Sequence, residues 1–300
     1  MKLSIIIPNL NGEKSIEKTI LSAMKSCSGI ENEIIVVDDF STDDSCRIVK
    51  KISRRFRNVR LLMNKNRMGA AFCRNLGIAK ARGKVLLFID NDVFLRGGSG
   101  AKLFRSAEGK NRIAFPKLVF HNGRVMWPIS SKEESFLGVS ACFAARKEVF
   151  RRVGLFDENY ETYLEDADFF LRCRMAGIKF CYEKGALAVH SVPQFYNAER
   201  RYFLENRNLV YGILKFRQLR ASEREPFNLS SLFRNFACGL FNFRWFDWSH
   251  YDRTIDKKDK IRLLFWKHKP ISVIPGFLLC FVFFAGAFSG LFAYAFRRNS

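Results

Sequence analysis

Two aspartates, Asp90 and Asp92, follow directly on the apolar run 85–89. A buried strand is expected to end there, and residues two apart on an extended chain point to the same side. Carboxylate oxygens are the ligands that Mg²⁺ and Mn²⁺ prefer, and these ions commonly join protein carboxylates to nucleotide phosphates. The pair therefore indicates phosphate chemistry, although an isolated Asp-x-Asp is also typical of a turn after a strand.

The elements that must position this pair alternate regularly along the first ninety residues. The apolar and amphipathic patterns predict strands at 3–7, 34–37, 59–63 and 85–89, and helices at 15–27, 43–56 and 69–81. This order is typical of an α/β fold with a mainly parallel sheet flanked by helices, which binds ligands at the carboxyl ends of its strands. The segment 97–136 is less regular, and its strands are not assigned.

Polar residues follow three of these strands and predict one crevice. They are Pro8, Asn9, Asn11, Asp38 and Asp39, together with Asp90 and Asp92. The first turn contains one glycine, Gly12, whereas a dinucleotide-binding dehydrogenase needs several glycines there, and no P-loop occurs in context. Asp38 and Asp39 can instead accept hydrogen bonds from a nucleobase or a ribose. Their alternative role is to cap the following helix and complement its dipole.

Four ordered segments resemble the inverting family 2 glycosyltransferases of the GT-A fold, and are similar to their membrane-anchored, rhamnosyltransferase-like members. The segments are Ser4-Ile5-Ile6-Ile7-Pro8-Asn9-Leu10-Asn11, Ile35-Val36-Val37-Asp38-Asp39-Phe40-Ser41-Thr42-Asp43, Phe88-Ile89-Asp90-Asn91-Asp92, and Gly154-Leu155-Phe156-Asp157-Glu158 leading to Glu165-Asp166-Ala167-Asp168. The resemblance covers residues 3 to about 210. Phe40 departs from the glycine that is usual after the aspartate pair.

The resemblance implies a nucleoside diphosphate sugar donor and a Mn²⁺ or Mg²⁺ cofactor. The residues implied for the nucleotide sugar are Pro8, Asn9, Asn11, Glu13, Asp38, Asp39, Gly69, Arg74, Asp90 and Asn91. Asp92 and Asp90 are implied as metal ligands, and Asp166 as the catalytic base, with Glu165 as its competitor. His190 ends a predicted strand at 186–190, where it is expected to bind the metal, to contact a phosphate or to be a structural histidine.

Sugar transfer with inversion needs only two kinds of protein group. Direct displacement at an anomeric carbon requires a base for the acceptor hydroxyl and an electrophile for the departing diphosphate. We expect the neighbouring Glu165 and Asp168 to raise the pKa of Asp166 by charge repulsion. The alternative is an ordinary helix N-terminus that favours acidic residues.

Charge and hydropathy indicate a membrane partner. The chain carries a formal net charge of +22, and basic residues alternate with aromatic ones from 197 to 269. The uncharged segment 271–296 is long enough to span a bilayer, with a re-entrant hairpin or a buried soluble helix as alternatives. No nucleic-acid-binding motif is present. We therefore expect a catalytic domain at 1–215, a basic interfacial region at 216–269 and a membrane segment at 270–300.

The expected location is the cell membrane with a cytoplasmic catalytic domain, because no signal segment precedes the first strand and the eight cysteines form no paired motif. The expected activity is single sugar addition to a lipid-linked or membrane-associated acceptor. One alternative is a processive polysaccharide synthase, but Phe241 replaces the glutamine expected before Arg244-Trp245. Another is a catalytically silent nucleotide-sugar-binding scaffold. A homo-oligomer is left open.

Overall fold

The structure is a computed structural model that describes residues 1–127, 138–191, 198–219, 227 and 284–291. The chain divides into two compact units, Met1–Pro193 and Gln194–Ser300. The domain boundary expected after residue 215 stays a prediction.

The first four strands form the parallel half of the sheet, in the order β3-β2-β1-β4. They are β1 (Leu3–Asn9), β2 (Asn32–Asp38), β3 (Val59–Met63) and β4 (Val85–Ile89), connected by α1 (Ile16–Ser26), α2 (Ser45–Arg55) and α3 (Ala70–Lys80). β4 is buried along its whole length, as a central strand covered on both faces must be. The predicted strands and helices of this half are confirmed.

The second half of the sheet is mixed. Its elements are β5 (Val93–Arg96), α4 (Ser99–Ala107), β6 (Arg112–Phe120), β7 (Val125–Trp127), β8 (Cys142–Arg146), α5 (Lys147–Val153), a 3-10 turn (Glu158–Tyr160), α6 (Glu165–Met175) and β9 (Lys179–His190). The sheet continues from β4 through β8, β6 and β9 to β5, with β7 beside β6. β8 is antiparallel to both β4 and β6, so the sheet is mixed, although β6 and β9 run in the same direction as the first four strands. Strand periodicity is the same in both directions and cannot reveal this reversal.

Packed phenylalanine rings join the two halves beneath α6. Phe88 of β4 stacks on Phe143 of β8 with ring centroids 4.6 Å apart. Phe143 meets Phe170 of α6 edge-on at 5.3 Å, and Phe156 stacks on Phe169 at 4.5 Å. Such geometries add about 0.5–1.5 kcal/mol per pair beyond the buried area. α6 therefore packs on a layer of phenylalanine rings.

The second unit contains α7 (Ala198–Lys215) and a helical stretch at 284–291. A Cβ atom on Gly286 would lie 2.6 Å from the backbone oxygen of Phe203, and one on Gly290 would lie 2.3 Å from that of Arg207. The missing side chains at these two positions therefore let the stretch 284–291 approach α7 closely. Among the described residues, no helix has the length and apolar character needed to cross a bilayer. Most of the predicted span 271–296, and nearly all of the predicted interfacial region 216–269, lie outside the described residues.

Candidate functional site

The loops after β1, β2 and β4 meet at the carboxyl edge of the sheet, as the sequence predicts. Asn9 links them: its Nδ2 donates to Asp38 Oδ1 at 2.7 Å, and its Oδ1 accepts from Asn91 Nδ2 at 2.9 Å. Gly12 lies against the same pair, where a Cβ atom would lie 2.3 Å from Asn9 Oδ1. The three predicted loops therefore form one hydrogen-bonded edge.

Asp38 is buried and holds its own turn. It accepts hydrogen bonds from the backbone N of Ser41 at 2.9 Å and from Ser41 Oγ at 2.6 Å, besides the bond from Asn9. Asp44 occupies the N-cap position of α2 and no side-chain hydrogen bond caps this helix, so Asp38 and Asp39 do not cap it, while their effect on its dipole stays a prediction. Phe40, at the turn's tip, has φ +63°, a conformation that favours glycine, and its side chain is 53% exposed.

Asp39 anchors the loop that leads into α3. Its Oδ1 accepts from Met68 N at 2.8 Å and Asn64 Nδ2 at 2.9 Å, and its Oδ2 accepts from Gly69 N at 2.9 Å. The side chain is only 4% exposed. Both aspartates therefore already hold protein groups, and their contact with a nucleobase or ribose stays a prediction.

The remaining predicted residues of the first loop tie it to the second loop. Asn11 Oδ1 accepts from Thr42 N at 2.9 Å, and Glu13 Oε2 accepts from Asp44 N at 3.3 Å. Pro8 lies within β1, in register with Val37. Asn11 and Glu13 are exposed and Pro8 is half-buried, so these residues border the crevice.

Gly69 lies where the loop before α3 touches the loop before α6. Its φ is +90°, and a Cβ atom there would lie 2.5 Å from the backbone oxygen of Glu161. Ala71 N donates to that same oxygen at 3.1 Å. Glu161, Tyr163 and Leu164 all have positive φ values, which are strained for such side chains. Backbone strain is thus concentrated immediately before Glu165 and Asp166.

Asp166 and Glu165, in the first turn of α6, have different surroundings. Asp166 is half-buried, and its Oδ2 accepts long hydrogen bonds from Ser140 N at 3.3 Å and Ser140 Oγ at 3.4 Å. Glu165 is 5% exposed, with Oε1 held by Arg74 and Oε2 without a hydrogen-bond partner among the described residues. Of the two, Asp166 is the more accessible to an acceptor.

The pKa values of both carboxyls lie above their ordinary values, as expected for Asp166. Burial is the main cause for Asp166, and among neighbouring charges Asp90 raises its pKa further. Burial, followed by the charge of Asp166, raises the pKa of Glu165 to about 7. We expected Asp168 to raise the pKa of Asp166 as well. Its fully buried carboxylate instead pairs with Arg172 at 2.8 Å, on another side of the helix.

Asp92 immediately precedes β5 and His190 ends the neighbouring β9, and their Oδ1 and Nε2 atoms lie 3.4 Å apart. His190 Nδ1 is buried without a hydrogen-bond partner among the described residues, and burial raises the pKa of Asp92. A carboxylate beside an imidazole offers the oxygen and nitrogen ligands that suit a divalent cation. Asp90 faces elsewhere, toward Arg74 at 2.9 Å. Within the described residues, no three His, Cys, Asp or Glu side chains are grouped as a metal site.

Arg74 lies beneath the crevice rather than at its surface. Its Nη2 donates to Asp90 Oδ1 at 2.9 Å, and its Nη1 donates to Glu165 Oε1 at 2.7 Å. The side chain is 3% exposed. Its expected contact with the nucleotide sugar stays a prediction.

Ser140 is the site residue that sequence reasoning missed. Ser140 N and Oγ donate to Asp166, and the next residue, Ala141, accepts a hydrogen bond from Asp90 N at 2.9 Å. One dipeptide therefore holds the Asp90 loop and the start of α6 together. The available signal was a single hydroxyl within the run Gly138-Val139-Ser140-Ala141-Cys142-Phe143.

Comparison with known proteins gives one family. A family model described as "Glycosyl transferase family 2" matches residues 4–176. The poly(ribitol-phosphate) beta-N-acetylglucosaminyltransferase TarP of Staphylococcus aureus (strain N315) is 25% identical over 203 residues, which cover 61% of each chain. An uncharacterized glycosyltransferase of Haemophilus influenzae is 37% identical over 93 residues, covering 31% of this chain and 37% of that protein. Two TarS proteins of S. aureus match over 17% of their length, so the alignments span well under half of these first relatives.

Solved structures show the same fold. Residues 1–349 of S. aureus TarS in complex with UDP align with a TM-score of 0.56 at 17% identity, covering 100% of this chain and 92% of that one. GalNAc-T7 with UDP, GalNAc and Mn²⁺ aligns with a TM-score of 0.57 at 17% identity, covering 78% of this chain and 53% of that one. At this identity, the likeness establishes the GT-A-like fold alone.

Proposed function

We propose a function from the premise that this chain belongs to glycosyl transferase family 2, whose model matches more than half of it. The proposed reaction moves a sugar from a nucleoside diphosphate sugar to an acceptor hydroxyl, with inversion at the anomeric carbon. One observation carries the proposal. The Ser140-Ala141 dipeptide is bonded to Asp166 on one side and to Asp90 on the other, so a candidate base faces a candidate diphosphate-binding loop.

The base is Asp166. Its raised pKa increases its affinity for the proton of the acceptor hydroxyl, and the Ser140 hydrogen bonds orient its Oδ2. Because this group removes the proton while the diphosphate departs from the opposite face of the sugar, one displacement suffices and the configuration inverts. Neither a nucleophilic Ser nor a Cys is needed.

The diphosphate side is formed by Asp92 and His190. Together they offer one carboxylate and one imidazole for a divalent cation, with Asp90 close by in sequence. Such a cation supplies positive charge for the leaving diphosphate. Asn91 Nδ2, bonded to Asn9, keeps the loop between the two aspartates fixed.

The acceptor is proposed by class. TarP and TarS are named for transfer to poly(ribitol-phosphate), and the net charge of +22 on this chain suits an anionic acceptor or an anionic membrane surface. We therefore propose a polyol-phosphate-like or lipid-linked acceptor at a membrane, with the catalytic unit on the cytoplasmic side. TarP and TarS carry N-acetylglucosaminyl names, so a rhamnosyl donor gains no support from them and no sugar is assigned.

The membrane part of the proposal has its own test. Truncation before Lys267 removes the predicted span and should leave donor binding unchanged, because every site residue described above precedes it. Activity on a long-chain lipid acceptor should then fall more than activity on a short soluble analogue. Equal activity on both acceptors before and after truncation, without salt-sensitive liposome binding, contradicts the membrane role.

The donor proposal is tested by thermal unfolding of the purified protein against a panel of nucleotide sugars, with and without Mn²⁺. A ligand at about 100 times its Kd stabilises the native state by about 2.7 kcal/mol, a readily measured shift. We expect stabilisation by at least one donor, larger with Mn²⁺ and reduced in Asp92→Ala. No shift with any donor contradicts the proposal, and binding without turnover favours the silent scaffold.

A further inference from the structure

Arg74 holds two carboxylates that belong to opposite sides of the proposed reaction. Asp90 follows β4 in the diphosphate-side loop, and Glu165 opens α6 next to the proposed base, yet one buried guanidinium contacts both at 2.9 and 2.7 Å. The guanidinium also lies over the Phe156 ring, 5.6 Å from its centroid. Both amino groups of Arg74 are thus used inside the protein.

The start of α6 has little local support and depends on bonds to other elements. No side-chain hydrogen bond caps this helix, and its first residue follows Leu164 at φ +64°. Strained residues of this kind persist only where the surrounding structure fixes them. The bond from Arg74 attaches the first residue of α6 to α3, whose Cys73, Arg74 and Asn75 are buried in the parallel half of the fold.

The shape of the Arg74 side chain fixes the distance between its two carboxylate partners, in addition to supplying a positive charge. A guanidinium is planar and rigid, and its two amino groups lie at a fixed separation, whereas a lysine ammonium is a single point charge on a flexible stem. Whatever fixes Glu165 relative to Asp90 also fixes the adjacent Asp166, because these residues share the first turn of α6.

We propose that Arg74 is a positioning residue that sets the separation between the diphosphate-side loop and the base Asp166, rather than a ligand of the donor. This inference rests on the proposed function. It predicts that loss of the guanidinium impairs transfer to the acceptor more than attack by water, since water reaches the anomeric carbon without a precisely placed acceptor site.

The test compares two reactions in Arg74→Lys: transfer to acceptor, and acceptor-free hydrolysis of the nucleotide sugar. Arg172→Lys is the matched control, because Arg172 also holds a buried carboxylate, Asp168, and two backbone oxygens, on α6 but away from the site. We expect transfer kcat to fall by about 10²-fold in Arg74→Lys, as for a misplacement of about 1 Å. The ratio of transfer to hydrolysis should therefore fall in Arg74→Lys, whereas Arg172→Lys should keep the wild-type ratio.

Glu165→Leu is the second variant, which breaks the same connection from its other end and should lower the ratio in the same direction. An unchanged ratio in both variants, with both rates falling together, overturns the positioning role. A large loss of donor affinity in Arg74→Lys at unchanged kcat also overturns it, in favour of a direct donor contact. A wild-type protein that neither transfers nor hydrolyses any sugar overturns the proposed function and this inference together.

Discussion

The identity of the base is tested by replacing Asp166 with Asn, a change that removes the charge and keeps the shape. The hydrogen bonds of Asp166 in the structure run to Ser140 and to its own helix at Ala167, so the variant should fold and bind donor as the wild type does. Ser140 Oγ can accept from the new amide, and the two Ser140 bonds are long, which keeps the loss of stability small. Loss of a general base lowers kcat by about 10²–10⁴.

That loss corresponds to a barrier increase of about 2.7–5.4 kcal/mol at about 1.36 kcal/mol per tenfold change in rate. The assay combines initial rates of nucleoside diphosphate release in the presence of acceptor with donor Kd from calorimetry. Glu165→Gln is the matched control, because its amide oxygen can still accept from Arg74 and it should retain most of the turnover. Near-normal kcat in Asp166→Asn together with inactive Glu165→Gln would refute the assignment and move the base to Glu165.

Three further perturbations follow from the same geometry. Asp92→Ala should weaken Mn²⁺-dependent donor binding, because it removes the carboxylate beside His190; unchanged affinity by calorimetry in the presence of Mn²⁺ would contradict the proposed cation site. Gly69→Ala should destabilise the fold by about 2–4 kcal/mol in urea unfolding, since φ +90° and a contact 2.5 Å from Glu161 O both disfavour a side chain; a loss below about 0.5 kcal/mol would contradict this. Glu165, with its folded pKa raised from 4.5 to about 7, binds its proton more tightly when folded, so its contribution to the free energy of unfolding should fall as pH rises through that range and level off above it. Urea unfolding of the wild type and Glu165→Gln between pH 4.5 and 8 measures this, and parallel curves would contradict it.

The parallel half of the fold was predictable because its signals are local. Each of its strands is a short apolar run, and α1 to α3 lie within a few residues of their predicted positions. The positive φ of Phe40 also agrees with the glycine that the family usually has there.

The mixed half was not predictable, because its order depends on contacts between distant segments. β8 joins β4 at Ile89 and Cys142, and no periodicity in either segment gives the direction of that pairing. α4 was missed because Gly97, Gly98 and Gly100 mark its start as a loop, although Gly98 at φ +71° is the residue before the helix.

The candidate site was also predictable only in part. Asp90 and Asp92 were singled out from residue type and position after a strand, and Asp166 from the family resemblance, and their roles stay predictions. The bond between Arg74 and Glu165 joins residues 91 positions apart, and the role of Ser140 depends on where α6 packs. The burial of the Arg74 side chain between two carboxylates depends on the same long-range packing, which no local pattern in the sequence shows.

The central claim is inverting transfer from a nucleoside diphosphate sugar, and the configuration of the product tests it most directly. The measurement is proton NMR of the product formed from an α-linked nucleotide sugar, Mg²⁺ and a soluble polyol-phosphate acceptor. A new β-glycosidic anomeric signal, with stoichiometric release of nucleoside diphosphate, is the predicted result. An α-glycosidic product, or no product from any donor that stabilises the protein, would contradict the account.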